Sequence, residues 1–322
     1  MDEFSFINSI KQHYYRQSTL IKGIGDDGAV IRQSSQDIVM AVDTFVEDVH
    51  FSRKTVPPRS IGYRCMAANI SDLAAMSASP AFYLVSIVIP PSWSEDEVLD
   101  IFAGMKEHAR TYQMDLIGGD TVSGKELSIS VTVIGYANSG KASFRSNANE
   151  GDIVFVTGTL GDSQAGFHIL TSDDDYIHKD FFIKRHQRPS PRIDIALELG
   201  KLSRVALNDI SDGIANEATE IAEASQVNIV LYNDHIPVST AYDQFPLNLQ
   251  KQWKYFGGED FELLGTVPRK DWNIVEDIAQ KTGVNITKIG HVEKAKSSSG
   301  LVYLQQGKQK RRLEKDGYIH LK

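Results

Sequence analysis

The stretch SIGYRCMAANISDLAAM at residues 60–76, followed by AFYLVSIVI at residues 81–89, predicts a helix and then a strand. Apolar residues in the first stretch recur at helical spacing, whereas the second is a continuous apolar run typical of a buried strand. Asn69 and Asp72 lie side by side on another face of the predicted helix. Polar groups on that face are therefore candidates for a functional site. The apolar face consists of Met66, Ile70, Leu73 and Met76.

The neighbouring segments follow equally simple patterns. Residues 37–45 are typical of a strand, and apolar residues alternate with Ser and Thr over residues 127–133, which predicts a strand with one polar face. Ser94 and Glu97 form a capping box that predicts the start of a helix. We also expect an amphipathic helix before the first glycine-rich turn. Its apolar residues are Phe4, Ile7, Ile10 and Tyr14.

The chain of 322 residues is long enough for two ordinary domains. The polar, glycine-containing segment at residues 138–151 separates the alternating strand from the strand-like run DIVFVTGT. Beyond it, strand-like runs alternate with helical segments, which indicates an α/β arrangement. We therefore expect two domains, residues 1–140 and residues 141–322.

Composition argues against several classes of protein. A net charge of −8 removes the basic surface expected of a nucleic-acid-binding protein. The longest apolar run is about half as long as a membrane-spanning helix, and the N-terminus is acidic where a signal peptide would be basic. Cys65 is the only cysteine, so no intramolecular disulfide can form. We expect a cytoplasmic protein that binds neither nucleic acid nor membranes.

Acidic residues recur beside glycines or at the ends of predicted strands. Carboxylates on such loops are held in place yet stay open to a ligand, and short glycine turns let phosphates approach the main chain. Each acid alone is also explained as a turn or cap residue. Turn chemistry would accept Asn, Ser or Gly equally, so the repeated choice of carboxylates favours Mg²⁺ binding. The residues are Asp26, Asp27, Asp43, Asp72, Asp120, Asp209, Asp212, Glu259 and Asp260.

Common nucleotide-binding motifs do not explain this pattern. The segment GIGDDG at residues 23–28 has dinucleotide-binding spacing, but its two aspartates would repel a pyrophosphate and no convincing buried strand precedes it. The chain contains no phosphate loop of the GxxxxGKS or GxxxxGKT type and no HRD or DFG kinase motif. Any ATP site must therefore be built in another way.

From Gly23 to Leu263 the chain carries the blocks GIGDD, VDTFVEDVHF, NISDLAAM, LIGGD, the segment around Arg145, GDIVFVTGTLGDSQAG, IKRHQRPSPR, DISDG and GGEDFEL. Taken together, these motifs resemble those of the thiamine-monophosphate kinase family and follow the family's order. The resemblance covers most of the chain in many separate blocks. The wider superfamily, which includes aminoimidazole ribonucleotide synthetase and selenophosphate synthetase, uses ATP without a phosphate loop.

This resemblance implies an α/β (α+β) fold of two domains with ATP between them. The first domain would be a mixed β-sheet with helices that forms a barrel with its copy in a homodimer, and the second an α/β layered domain. The implied activity is the phosphorylation of thiamine monophosphate to thiamine diphosphate, with ATP as co-substrate and several Mg²⁺ ions.

The resemblance also implies roles for individual residues. The expected Mg²⁺ ligands are Asp27, Asp43, Asp72, Asp120, Asp209 and Asp212, of which Asp72, Asp120 and Asp212 are expected to be catalytic. The expected nucleotide contacts are Gly119, Asp120, Arg145 and Ser211. The expected substrate contacts are His50, Glu259 and Tyr318.

Phosphoryl transfer between ATP and a phosphate monoester brings two polyanions together. Two unit charges ~4 Å apart repel by roughly 4 kcal/mol at an effective dielectric of about 20, and Mg²⁺ would offset this repulsion. The accepting phosphate is largely ionised near neutral pH, so we expect no catalytic base.

Three expected contacts also have simpler explanations. Glu259 would compensate the thiazolium cation, and His50 would donate to the accepting phosphate, although a turn acid and a structural histidine explain the same two residues. Arg145 would contact the nucleotide phosphates unless it is a solvated linker residue.

The chain departs from the family pattern in two places. Ala41 and Val42 stand where the family usually has Ser-Thr, so side-chain hydroxyls cannot bind metal there. Lys315 stands where an aromatic residue often stacks on the substrate, which makes Tyr318 the expected substitute. Residues 184–192 form a basic cluster to which the sequence assigns no role.

Two other functions stay open at this point. One is another reaction of the same superfamily, such as selenophosphate synthesis, although that enzyme usually needs an N-terminal cysteine and Cys65 lies inside a predicted helix. The other is a non-catalytic nucleotide or Mg²⁺ sensor. Turnover of thiamine monophosphate distinguishes both from the kinase.

Overall fold

The computed structural model describes part of the chain in detail. Two β-sheets with packed helices make up this part, and the expected mixed α/β architecture is confirmed. The helix expected between Phe4 and Tyr14 and the expected substrate contact Tyr318 both lie outside the described residues. The described residues are 20–22, 26–27, 29–32, 35–295 and 300–315.

The first sheet has six described strands. They are β1 (Leu20–Lys22), β2 (Ala29–Arg32), β3 (Gln36–Val46), β4 (Ser79–Ile89), β5 (Asp115–Ser123) and β6 (Ser128–Asn138). Their order is β1-β2-β3-β6-β4-β5, and β4 and β5 are parallel whereas the other neighbours are antiparallel. The sheet is therefore mixed, with β5 at one edge.

Two closely packed helices accompany this sheet, α1 (Pro58–Ala75) and α2 (Glu95–Thr111). A Cβ atom on Gly62 would lie 1.8 Å from the carbonyl oxygen of Ile101, and one on Gly104 would lie 1.8 Å from that of Arg59. Glycine is therefore required at both positions for the helix backbones to approach this closely.

The predicted elements of this half are confirmed. The predicted helix at residues 60–76 corresponds to α1, and the strands at residues 37–45, 81–89 and 127–133 correspond to β3, β4 and β6. Buried and half-buried side chains alternate along β6, as the period-two pattern requires. The predicted capping box at the start of α2 is also present.

The second sheet has seven described strands. They are β7 (Ile153–Thr157), β8 (Ala206–Asp209), β9 (Val227–Tyr232), β10 (Leu263–Val267), β11 (Ile286–Lys294), β12 (Val302–Gln306) and β13 (Gln309–Arg312). Their order is β13-β12-β9-β11-β7-β10-β8, and only β9 and β12 are parallel among the described pairs.

Six further α-helices are described in the second half. They are α3 (Asp162–Thr171), α4 (Lys179–Gln187), α5 (Ile193–Leu199), α6 (Ile214–Ser225), α7 (Leu247–Phe256) and α8 (Trp272–Thr282). Within the described ranges, no helix is both long enough and apolar enough to cross a membrane.

The largest hydrophobic core joins the two halves of the chain. It contains Ile61 and Ile70 from α1 together with Phe155 and Leu207 from the second sheet. Because α1 also carries the predicted site residue Asp72, this packing places one expected functional group against the second half. The junction between the halves is therefore where a shared site can form.

Candidate active site

Three carboxylates from both halves of the chain meet beside α1. Asp27 lies shortly before β2, Asp72 lies near the C-terminal end of α1, and Asp209 is the last residue of β8. One oxygen atom from each lies within 4.8 Å of the others. This spacing allows one cation to contact all three. The fold thus brings together three of the expected ligands from distant parts of the chain, although their role as ligands stays a prediction.

Burial makes this group of carboxylates costly to ionise. Burial and the charge of Asp43 raise the pKa of Asp209 to about 6, against the opposing effects of the Ser71 side chain and Arg145. Burial and neighbouring carboxylates also raise the pKa of Asp27 and the pKa of Asp72. Asp27 Oδ2 and Asp209 Oδ2 are buried and accept no hydrogen bond from the described residues. A cation is the kind of partner that such oxygen atoms require.

Asp43, on β3, lies close enough to influence this group. After burial, the charge of Asp43 is the largest effect that raises the pKa of Asp72. The main-chain N–H of Asp43 donates to Asn69 Oδ1 at 2.9 Å, and Asn69 Nδ2 donates to the carbonyl oxygen of Cys65 at 2.9 Å. Asn69, one of the two polar residues expected on α1, therefore fixes β3 against that helix.

Arg145 lies in a short 3-10 turn, Arg145–Asn147, between the two sheets. Its guanidinium forms an ion pair with Asp27 and a second with Glu220 at 3.0 Å. Its Nε donates to Asn208 Oδ1 at 3.1 Å. Although burial opposes it, the charges of Asp27 and Glu220 raise the pKa of Arg145 above its usual range. Arg145 is therefore built into the site and is not a solvated linker residue.

Two acidic loops of the second half lie side by side. The main-chain N–H of Glu259 donates to the carbonyl oxygen of Ser211 at 2.7 Å. The N–H of Phe261 donates to the carbonyl oxygen of Ile210 at 3.0 Å, and the N–H of Ile210 donates to the carbonyl oxygen of Glu262 at 2.7 Å. The motifs DISDG and GGEDFEL therefore form one structural unit, which places Ser211 beside Glu259.

Two of the three expected substrate contacts, His50 and Glu259, lie among the described residues. Glu259 has a left-handed backbone with φ of 67°, and its carboxylate pairs with the buried guanidinium of Arg64. His50 follows β3, where its Nδ1 accepts a hydrogen bond from the main-chain N–H of Val46 at 3.0 Å and its ring lies 5.4 Å from that of Phe45. The substrate contacts of both residues stay predictions.

Gly119 and Asp120 lie on β5, apart from the three-carboxylate group of Asp27, Asp72 and Asp209. Asp120 is exposed, and its Oδ1 accepts a hydrogen bond from the next main-chain N–H at 2.9 Å. A Cβ atom on Gly119 would lie 2.0 Å from a main-chain oxygen of β4, so glycine permits the close pairing of these strands. Within one chain, the fold does not add Asp120 to that group.

Sequence reasoning did not single out three residues that support the site. Asn208 Nδ2 donates to Glu217 Oε2 at 2.9 Å, and the main-chain N–H of Asp212 donates to Glu217 Oε1 at 2.9 Å. Glu220 lies one helical turn further along α6 and pairs with Arg145. Two acids at i, i+3 directly after an acidic loop were the signal that would have identified Glu217 and Glu220.

The residues that depart from the family pattern are Ala41, Val42 and Lys315, and the structure describes all three. Ala41 is buried in the core, whereas Val42 is 60% exposed. Neither side chain offers a polar atom. Lys315 lies 3.4 Å from the carboxylate of Glu223 on α6.

The basic cluster at residues 184–192, which had no assigned role, is structural. Arg185 and Arg192 both pair with the buried carboxylate of Glu262, at 2.8 and 2.5 Å. Arg188 pairs with Glu107 on α2. The cluster therefore stabilises the second half internally and ties it to the first half.

Comparisons with known proteins agree with this architecture. Residues 25–137 match the family model described as "AIR synthase related protein, N-terminal domain", and residues 149–302 match the corresponding C-terminal domain. The chain therefore has the two-domain fold of the AIR synthase-related proteins.

Individual relatives within that class identify the family more narrowly. The thiamine-monophosphate kinase of Bacillus subtilis is 45% identical over 330 residues, which covers 100% of both chains. That of Aquifex aeolicus is 32% identical and covers 91% of this chain and 92% of the relative. A solved structure described as "AaThiL complexed with AMPPCP and TMP" superposes with a TM-score of 0.85 at 29% identity, covering 99% of this chain and 97% of that one. The chain belongs to the thiamine-monophosphate kinase family.

Proposed function

We propose that this chain transfers the γ-phosphoryl group of ATP to the phosphate of thiamine monophosphate, and so makes thiamine diphosphate in the cytoplasm. The observation that carries the proposal is the group formed by Asp27, Asp72 and Asp209, to which both halves of the chain contribute. Such a group suits a cation-dependent reaction between polyanions. The names of the relatives supply the two substrates.

Mg²⁺ is the cation that we propose for the site. The buried Oδ2 atoms of Asp27 and Asp209 fit this ion, because Mg²⁺ prefers oxygen ligands that carry negative charge. When bound, Mg²⁺ offsets the negative charge of the reacting phosphates. The residues that would hold one or several ions are Asp27, Asp43, Asp72, Asp120, Asp209 and Asp212.

The protein's own side chains then bind and orient the two substrates. The planar guanidinium of Arg145 suits a nucleotide phosphate, and Gly119 and Ser211 would lie near the same nucleotide. Glu259 would face the thiazolium cation and His50 the accepting phosphate, with Tyr318 as a further substrate contact. Because the accepting phosphate is already ionised, none of these residues has to act as a general base.

We further propose that the protein is a homodimer and that each subunit has two domains, with the boundary near residue 140. Strand β5 is exposed along its whole length at the edge of the first sheet, including Leu116 at 48%, Ile117 at 52% and Val122 at 48% exposure. An apolar edge strand of this kind pairs readily with another chain. A dimer through β5 would place Asp120 at the subunit interface.

Incubation of the purified protein with ATP, Mg²⁺ and thiamine monophosphate tests the proposed reaction. We expect equal amounts of ADP and thiamine diphosphate, and none when Mg²⁺ is chelated. Asp72→Asn should abolish turnover, whereas Asp96→Asn, in the exposed first turn of α2, serves as a matched control. Binding of ATP and Mg²⁺ without any thiamine diphosphate would reject the kinase and favour a sensor.

A further inference from the structure

Arg64 is a buried cation that connects the two halves of the chain beside the site. It lies on α1 and is 1% exposed. Its Nη1 donates to His186 Nε2 on α4 at 3.0 Å, and its Nη2 forms an ion pair with Glu259 Oε1. The side chain therefore extends from the helix that carries Asp72 to the loop that carries Glu259.

The contact with His186 orients the guanidinium without neutralising it. Burial and the charge of Arg64 lower the pKa of His186 well below its usual range, so the imidazole is neutral. Its Nε2 accepts from Arg64, and its Nδ1–H is therefore left to donate to Ser163 Oγ at 3.3 Å. Among the described residues, Glu259 is the carboxylate within ion-pair distance of Arg64. The pair with Glu259 is thus the one that balances the buried charge.

The backbone around Glu259 is held by contacts that do not involve Arg64. The N–H of Glu259 bonds to Ser211, and the carboxylate of Asp260 accepts hydrogen bonds from the N–H groups of Gly161 at 2.6 Å and Ser163 at 3.0 Å. These contacts fix the position of the loop but not the direction of the Glu259 side chain, which is 27% exposed. Arg64 supplies that direction.

We propose that Arg64 is a positioning residue for Glu259, an inference that rests on the proposed function. Because Oε1 of Glu259 engages Arg64, the carboxylate is held in one orientation with Oε2 available to the cationic thiazolium ring. Without Arg64, the side chain would have to be ordered at the moment the substrate binds, which lowers affinity. The effect should fall on thiamine monophosphate and not on ATP.

Steady-state kinetics of Arg64→Met and Arg64→Lys test this role. Arg64→Met should raise KM for thiamine monophosphate about tenfold, the size expected when a charged contact is lost, and leave KM for ATP nearly unchanged. Arg64→Lys keeps the charge but not the fork geometry, so it should restore part of the affinity. Arg59→Met is the matched control, because Arg59 lies on the same helix but pairs with Glu107 at the surface.

A double-mutant cycle separates positioning from mere structural support. If Arg64 acts through Glu259, then Arg64→Met should raise KM for thiamine monophosphate little further in a Glu259→Gln background. Independent, multiplicative effects would overturn the proposal, as would lower kcat and Tm in both Arg64 variants without a selective rise in that KM. Absence of thiamine diphosphate with the unmodified protein is a different result, because it would overturn the proposed function itself.

Discussion

The carboxylate of Glu217, buried on α6, accepts a hydrogen bond from the main-chain N–H of Asp212 at 2.9 Å. The same carboxylate accepts a second hydrogen bond from Asn208. Glu217 therefore holds both ends of the loop that carries Asp209 and Asp212. The first turn of α6 thus shapes a site to which it was not expected to contribute.

Loss of this support should weaken Mg²⁺ binding. Glu217→Ala removes the side-chain acceptor of the Asp212 N–H and leaves Asn208 Nδ2 with its weaker contact to Glu220 Oε2 at 3.2 Å, which frees the loop at a cost of about 1–3 kcal/mol. We expect the Mg²⁺ concentration needed for half-maximal activity to rise severalfold. Glu223→Ala, an exposed position on the same helix, is the control and should leave the Mg²⁺ titration unchanged. An unchanged titration for Glu217→Ala would contradict the role of this residue.

When no metal is bound, removing one negative charge from the three-carboxylate group should stabilise the protein. The pKa of Asp209 is raised to about 6, so ionisation costs the folded state stability as the pH rises from about 4 to 6, and the full cost is present above that range. In EDTA at pH 8, Asp209→Asn should therefore have a higher Tm than the unmodified protein. Added Mg²⁺ should raise the Tm of the unmodified protein more than that of the variant.

His108 should make stability depend on pH. It is 1% exposed, stacks on Tyr63 with ring centroids 4.0 Å apart, and its Nδ1 bonds to the Tyr63 carbonyl oxygen at 3.1 Å. Burial lowers the pKa of His108 to about 4. Between about pH 6.5 and 4 the unfolded chain binds a proton that the folded chain does not, so stability should fall by up to roughly 3 kcal/mol as the pH falls.

Urea unfolding at several pH values checks this expectation. His108→Asn keeps a donor near the Nδ1 position and cannot be protonated, so the fall in stability between pH 6.5 and 4 should become smaller. His186, whose pKa is also lowered, should keep its own share of the dependence. An equally steep profile in the variant would assign the dependence to other groups.

The buried carboxylate of Glu262 should be important for stability. It pairs with Arg185 and Arg192 and accepts a hydrogen bond from Thr157 at 2.7 Å. Glu262→Gln leaves two guanidinium groups without their shared partner, which should lower the free energy of unfolding by roughly 3 kcal/mol. Glu198→Gln removes a surface pair with Lys201 and should change stability little. Denaturant titration of both variants measures the difference.

The proposed dimer should depend on the exposed edge strand. Ile117→Lys places a charge on β5, where it would be buried by a second chain, and should shift the protein to monomers in sedimentation analysis. Leu99→Lys changes an equally exposed apolar residue, 58% exposed on α2, and should leave the oligomeric state unchanged. Equal sedimentation of all three proteins would exclude β5 as the interface.

Local patterns were sufficient for much of the fold. Helix α1, the capping box at Ser94 and the alternation along β6 follow from propensity, capping and periodicity, which act between residues close in the chain. The candidate acids were also apparent, because carboxylates beside glycines stand out in any sequence. Which of these acids lie close together in space could not be predicted from local sequence patterns. The separation of Asp120 from Asp27, Asp72 and Asp209 depends on where β5 lies in the sheet.

The two-domain α/β architecture, the family and the set of acidic residues from which a site could be built were all apparent from the residues and their spacing. Three features emerge from the folded chain alone: which acids meet, that Glu217 holds the loop before it, and that Arg64 reaches Glu259. The difference arises from the distance along the chain over which each kind of interaction acts. Helix and strand patterns act over a few residues, whereas a buried charge finds its partner through the packing of segments that are distant in the chain.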